Sequence, residues 1–229
     1  MNLLVNLLPV GLQRKFYLSR ARCDLLKDYY SQPVPSPETK LIDLEFIVVD
    51  FETTGLNPAE DSILSIGYCI IKNNHIVLNK SVYQVVRQER LMSSQNVAIH
   101  GITDSDARKG IEFKMAMSEL VQAMKGRVLI AHNAAIETAF INSACETLFK
   151  SPLLVRVIDT MKLEMRKLQQ QGRVIKTNDL RLFNIRKRYG LPRYKAHNAL
   201  EDAVSTAEVF LAITAKYSAK KNNRLKEFI

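Results

Sequence analysis

The sequence has few cysteines, no long apolar run and a deficit of acid. Cys23, Cys69 and Cys145 are its only cysteines, and no two of them form a CxxC pair. That usage argues against a disulfide-framed fold and fits a reduced, cytoplasmic setting. No stretch approaches the ~20 apolar residues of a membrane helix, so no membrane partner is expected. Residues 1–10 are apolar, but Arg14 and Lys15 follow them rather than precede them. This is the wrong order for a secretory signal. The segment reads instead as an amphipathic arm that packs on the domain or on a partner. Acids total 23 against 33 lysines and arginines, a net charge of +10. Such a surplus makes a polyanion a natural class of partner. The chain has 229 residues, 47% of them hydrophobic, enough for one sizeable core plus an extension.

Composition divides the chain at residue 44. Residues 1–44 hold a helical stretch over 11–30 and a linker rich in Pro and Ser, SQPVPSPET. They read as an N-terminal extension available to a protein partner. The main domain is expected over 45–217, with a basic tail over 218–229. Strands are predicted over 44–51, 62–72 and 76–86, the last two joined by a hairpin turn at Lys72-Asn73-Asn74-His75. A helix over 113–124 follows, then a strand over 128–131, a helix over 134–148, a strand over 153–158, and helices over 180–189 and 199–217. A three-strand meander followed by alternating helices and strands predicts an α/β fold. Its mixed five-stranded sheet is flanked by helices.

The segment FIVVDFETTG sets the chemical question. Asp50 and Glu52 stand at i and i+2 at the end of an apolar strand, so their carboxylates share one face. Unpaired charges in such a place cost several kcal/mol each. Two further segments supply acids. His132-Asn133-Ala134 and His197-Asn198-Ala199 each begin a predicted helix, with Glu137 and Asp202 four residues after the Asn. Asn is a good N-cap. Taken singly, either acid need only offset a helix dipole by ~0.3–1 kcal/mol. Taken with Asp50 and Glu52, they form an oxygen-rich set suited to Mg²⁺ or Mn²⁺. Two such ions can clamp an in-line phosphoryl displacement, and a nearby histidine can accept the proton of the attacking water.

DFETTG, HNAAIE and HNALEDA, in this order, resemble the three motifs of the DnaQ-like DEDDh family of 3′→5′ exonucleases. His100-Gly101-Ile102-Thr103 resembles that family's HGIT segment, and Asp159-Thr160 after an apolar strand is also typical of it. The resemblance covers roughly residues 45–215. Within the family it is greatest to epsilon-type proofreading subunits of bacterial replicative polymerase, without their C-terminal polymerase-binding tail. It implies an RNase H-like fold and two-metal hydrolysis of single-stranded DNA 3′ ends to nucleoside 5′-monophosphates. It also implies roles. Asp50, Glu52, Asp202 and Glu137 would be metal ligands, with Asp50 shared by two Mg²⁺ or Mn²⁺ ions. His197 would be the general base. Thr53, Thr54, Gly55, Leu56, His100 and Asn133 would meet the 3′-terminal nucleotide. The chain departs from the family at Glu137, where Asp is usual. The alternatives are an RNA 3′-end trimmer, and a binding module that holds 3′ ends without cutting.

Positive charge concentrates between Thr160 and Lys195, with eleven lysines and arginines against Glu164 and Asp179. This run leads into HNALEDA, so it is expected to flank the cleft and track the phosphates of a single strand, with Arg186, Lys187 and Arg188 as contacts.

Overall fold

Four consecutive apolar residues, Phe46 to Val49, are buried at the centre of β1 (Glu45–Thr53). An apolar run without alternation suits a strand covered on both faces. In a computed structural model of the chain, which describes residues 8–89, 100–194, 197–218 and 223–229, β1 lies at the middle of a mixed sheet. β2 (Ile63–Lys72) and β3 (His75–Val85) extend the sheet antiparallel on one side, and β4 (Val128–Ala131) and β5 (Val157–Asp159) extend it parallel on the other. The strand order is β3-β2-β1-β4-β5, the five-stranded sheet that the sequence predicts. Asn73 and Asn74 both take positive φ, 51° and 59°, between the paired residues Lys72 and His75. That is the type I′ turn whose twist matches a tight hairpin.

The alternation of β1 sorts the core into two layers. Ile47 and Val49 join an apolar cluster with Met117 and Leu120 of α4 (Phe113–Met124) and Phe140 of α5 (Ala135–Phe149). Phe46 and Val48 join the opposite cluster. That cluster holds Leu163 of α6 (Thr160–Gln170), Ile185 of α7 (Leu182–Arg188) and Phe210 of α8 (Ala199–Ser218). A short helix, α3 (Asp104–Lys109), is closed by a capping box between Thr103 and Asp106.

Both ends of the described chain enter these layers. α1 (Val10–Arg20) and α2 (Asp24–Ser31) bring Tyr17, Leu26, Tyr29 and Tyr30 into the first cluster. Arg14 lies 5.0 Å from the ring centroids of Tyr29 and Tyr30 and donates to the carbonyls of Tyr29, Gln32 and Leu154. The Tyr29 hydroxyl donates to Leu154 O at 2.8 Å, and the Tyr30 hydroxyl donates to Pro152 O at 2.5 Å. These bonds explain why the strand expected over 153–158 is only Val157–Asp159. At Pro152 to Leu154 the backbone bonds to side chains of α1, α2 and α5 rather than to a neighbouring strand. At the other end, Leu225 and Phe228 are buried in the second cluster. The linker meets them there. Leu41 N–H donates to Asn223 O, and Leu225 N–H donates to Thr39 O.

Gly67 fixes the position of α8. It pairs with Asp50 across β1–β2 and with Tyr83 across β2–β3. A Cβ at Gly67 would overlap the backbone of Ala199 and Leu200. Glycine therefore lets the first turn of α8 rest on the sheet beside Asp50. Gly67→Ala is expected to force α8 outward and cost about 1–3 kcal/mol, as overpacking does. Urea denaturation checks this; a wild-type midpoint for the variant would contradict so close a contact.

Candidate active site

Asp50 and Glu52 leave β1 on the α8 face, in register with Gly67 and Ser65 of β2. Asp202 lies in the first turn of α8, whose N-terminus is capped by Asn198. The Asn198 Oδ1 accepts from Leu200 N–H and Glu201 N–H, both at 3.1 Å. One carboxylate oxygen from each of Asp50, Glu52 and Asp202 falls within 4.8 Å of the others. The Asp202 Oδ2 also accepts the His197 N–H at 2.9 Å. His197 has a left-handed backbone, φ 70°, and is exposed beside this group. Its ring centroid is 6.4 Å from that of His100, whose Nδ1 lies 2.5 Å from Glu52 Oε2.

Glu137 is not one of this group of three carboxylates, but its charge reaches Asp50. It is buried in the first turn of α5, and its Oε2 has no hydrogen-bond partner. Burial pushes its carboxyl up to about 8, with the charge of Asp159 adding to the shift. Asp50 is raised well above the carboxylate range by withdrawal from water, and then by the charges of Glu137, Asp202 and Glu52. Burial pushes Glu52 up to about 7, with Asp202 adding. Asp202 is raised by burial too, opposed by its hydrogen bond from His197. Among the described residues, none of the four forms an ion pair with a lysine or arginine. An orphaned buried oxygen and converging carboxylates without a lysine or arginine ion pair fit a hard divalent cation.

The remaining expected residues are placed as follows. Thr53, Thr54, Gly55 and Leu56 form the turn that leaves β1, and Leu56 is 73% exposed. This turn is built around Asp61, which sequence reasoning missed. Thr54 Oγ1 donates to Asp61 Oδ1, Asn57 N–H donates to Asp61 Oδ2, and a Cβ on Gly55 would overlap that carboxylate. The Thr54 hydroxyl is thereby engaged within the turn. Asn133 is not a side-chain cap. Its φ is 68°, and it and Ala134 donate their N–H groups to Asp159, which also caps α6. The two His-Asn-Ala segments thus diverge. His132 is held between Thr160 Oγ1 and Leu180 O, at 2.9 Å from each, while His197 faces solvent.

Two of the three expected phosphate contacts turn inward. Arg186 is 4% exposed, pairs with Glu208 at 2.7 Å and donates to Ser205 O and Pro192 O. Arg188 pairs with Glu164, which is fully buried and also accepts from the Tyr189 hydroxyl. Lys187, Lys162 and Arg181 remain exposed. Tyr83, which carried no sequence signal, borders the site in the same lateral row as Asp50 and Gly67. Beside it, an open cleft of about 500 Å³ is lined in part by Gly101, Ile102 and Lys109.

The exonuclease family, RNase_T, matches residues 47–210. The chain belongs to this family. It is 31% identical over 177 residues to DNA polymerase III subunit epsilon of Treponema pallidum, covering 77% of this chain and 79% of that protein. It is 32% identical over 187 residues to the PolC-type DNA polymerase III of Caldanaerobacter subterraneus subsp. tengcongensis, covering 80% of this chain and 13% of that protein. The exonuclease fold is shared with the zinc-bound form of E. coli exonuclease I in complex with single-stranded DNA. The TM-score is 0.66 at 17% identity, over 77% of this chain and 41% of that one. It is shared also with cell-death related nuclease 4, at TM-score 0.63 and 16% identity, over 75% of this chain and 64% of that one.

The raised carboxyls make a stability prediction for the metal-free exonuclease. Glu52 and Glu137 bind protons more tightly folded than unfolded, with folded values of about 7 and about 8 against an ordinary 4.5. Stability from this source is fully present below the ordinary value and is lost as pH rises through the folded values. In chelator, urea denaturation should give a lower stability at about pH 8.5 than at about pH 5.5, by a few kcal/mol. Glu137→Gln should flatten the dependence, and Mg²⁺ should restore stability at the higher pH. A metal-free chain that gained stability over this range would contradict the burial of these groups.

Proposed function

We propose that the chain is a metal-dependent 3′→5′ exonuclease acting on single-stranded nucleic acid, DNA in preference to RNA, and releasing nucleoside 5′-monophosphates. The observation that carries this reading is the convergence of Asp50, Glu52 and Asp202, withdrawn from water, without an ion pair to lysine or arginine among the described residues and with His197 on their open side. Asp50, Glu52, Asp202 and Glu137 would hold two Mg²⁺ or Mn²⁺ ions. When bound, such ions supply positive charge against which a phosphodiester can be displaced in line. His197 accepts the proton of the attacking water, and its exposed ring leaves room for the scissile phosphate. Leu56 presses its exposed side chain on the terminal base. Backbone amides of the turn from Thr53 to Gly55, together with His100 and Asn133, orient the terminal sugar and phosphate. Exposed Lys162, Arg181 and Lys187 attract the phosphates of the strand without reading its sequence. The preference for DNA is supported by the relatives, which are named as DNA polymerase III subunit epsilon and PolC-type DNA polymerase III. Leu8, Val10 and Leu12, partly exposed near the start of the described chain, offer an apolar surface for a protein partner through residues 1–44.

Incubation with 5′-labelled single-stranded DNA and Mn²⁺ tests the reading, with RNA in parallel. A ladder growing from the 3′ end is expected on DNA, and Asp50→Ala or Asp202→Ala should abolish it while leaving the fold intact. Faster shortening of RNA would make the chain an RNA trimmer. Tight binding without shortening would make it a 3′-end binding module. Near-normal turnover by either alanine variant in Mg²⁺ would overturn the assignment of ligands.

Glu137 gives the sharper test. Glu137 acts on Asp50 through its charge, and Glu137→Asp would withdraw the carboxylate by about one C–C bond. A displacement of ~1 Å near the chemistry can cost about 10²-fold. Single-turnover rates should fall by that order, with Mn²⁺ rescuing better than Mg²⁺. Wild-type rates in both metals would reduce Glu137 to a residue that only favours the helix dipole.

A further inference from the structure

Two exposed aromatic rings stand outside the acidic site, in the basic stretch that leads to it. Phe183 is 46% exposed on α7, and Tyr194 is 41% exposed just before His197 in the chain. An arginine lies over each ring. The Arg193 guanidinium is 4.8 Å from the Phe183 centroid, and that of Arg186 is 4.5 Å from the Tyr194 centroid. The two pairs are joined. Arg186 donates twice to Pro192 O, which ties the segment carrying Arg193 and Tyr194 across α7. Single exposed apolar residues are ordinary, but two rings linked through arginines form a continuous strip.

Each part of this strip suits a nucleobase. Every base has a π-face, and it stacks on an aromatic ring or on a guanidinium plane. Tyr194 is held ready for such a contact. Its hydroxyl donates to Glu208 Oε1 at 2.9 Å, and Arg186, itself buried, backs its inner face. The surface of the ring that meets solvent is then the opposite face. Charge selects the occupant. Arg181, Lys187 and Arg193 are all exposed along the strip, and Lys187 follows Phe183 by one helical turn on the same face. Flat rings beside exposed cations fit a polyanion that carries bases. The strip also adjoins the acidic site. Glu208 follows Asp202 by six residues on α8, about 9 Å along the helix axis.

We propose that Phe183 and Tyr194 are stacking platforms for two bases of a single strand, upstream of the 3′ end held at the acidic site. They extend the grip on the strand from its phosphates to its bases, without reading sequence. The upstream placement rests on the exonuclease reading above. The stacking does not.

Photo-crosslinking of the full wild-type chain to single-stranded DNA tests the platforms. Iodouracil is placed at one position at a time from the 3′ end, in chelator so that the strand stays whole. Mass spectrometry should map crosslinks from internal positions to Phe183 and Tyr194. Crosslinks that avoid both rings, or no binding of any single strand, would overturn the proposal. Fluorescence anisotropy gives a second arm. Phe183→Leu keeps an apolar side chain without the ring, and should weaken single-strand binding by about 10-fold. Its slope of log K against log salt should match the wild type, because no charge is lost, whereas Lys187→Ala should make that slope shallower by about 0.7. Phe183→Tyr keeps the ring and should bind like the wild type. Undiminished affinity in Phe183→Leu, or an equal loss in Phe183→Tyr, would overturn stacking at that ring. Because the crosslinks are mapped on the wild type, an unstable variant does not remove the test. Cleavage in Mg²⁺ or Mn²⁺ with crosslinks elsewhere would overturn the stacking alone. Crosslinks on the rings with no cleavage in any metal would overturn the exonuclease reading and leave the stacking standing.

Discussion

The open end of the sheet depends on the missing side chain at Gly67. Hydrogen bonding within a sheet positions Asp50 and Glu52 with no help from the rest of the molecule, but Asp202 lies about 150 residues further along the chain. It reaches them because the backbone of α8 touches the backbone of β2 at the point opposite Asp50. Any Cβ there would lift the helix and draw Asp202 away from its partners. The same contact sets His197, which hangs from Asp202 through its backbone N–H. The Arg186 guanidinium secures the arrangement from outside by bonding α8 at Ser205 and Glu208 and the approaching loop at Pro192.

Electrostatics then makes the assembled site an energetic debt in the bare protein. Desolvation and the charge of neighbouring carboxylates both disfavour charge on Asp50, Glu52, Glu137 and Asp202, and basic groups relieve only Asp202, in part, through His197 and Arg186. A fold carries such a cluster when a cation settles it on binding, and the energy withheld from the apo state returns as affinity for the ion. Glu137 fits this account better than a dipole-offsetting role does. A residue serving only the helix dipole has no reason to be buried with an oxygen lacking a partner.

Local signals made much of this legible in the sequence. The unbroken apolar run of β1, the Asn-Asn turn and the spacing of Phe113, Met117, Leu120 and Val121 each reflect a short-range rule, and each produced the expected element. The acids of the three motifs could be named because their surroundings in the sequence are distinctive. What stayed hidden depends on partners distant in sequence. α6 is mostly polar and was not anticipated; Asp159, Leu163 and the buried Glu164 give it a cap and an inward face that only the fold reveals. Arg186 and Arg188 look like surface charge in one dimension, because their acids, Glu208 and Glu164, stand about 20 residues away. The strand expected over 153–158 was shortened by tyrosines more than 120 residues earlier.

Those tyrosines carry a consequence for what counts as the folding unit. The family's shared span begins at residue 47 and ends at 210. A chain trimmed to it would expose the apolar surfaces that Tyr17, Leu26, Tyr29 and Tyr30 cover at one end, and those that Leu225 and Phe228 cover at the other. The carbonyls of Pro152 and Leu154 would exchange tyrosine hydroxyls for water, just before β5 and the Asp159 that anchors Asn133 and Ala134. In this protein the evolutionary module and the thermodynamic module have different borders. The flanking segments act as a strap drawn around the sheet, closed where residues 39–41 meet 223–225.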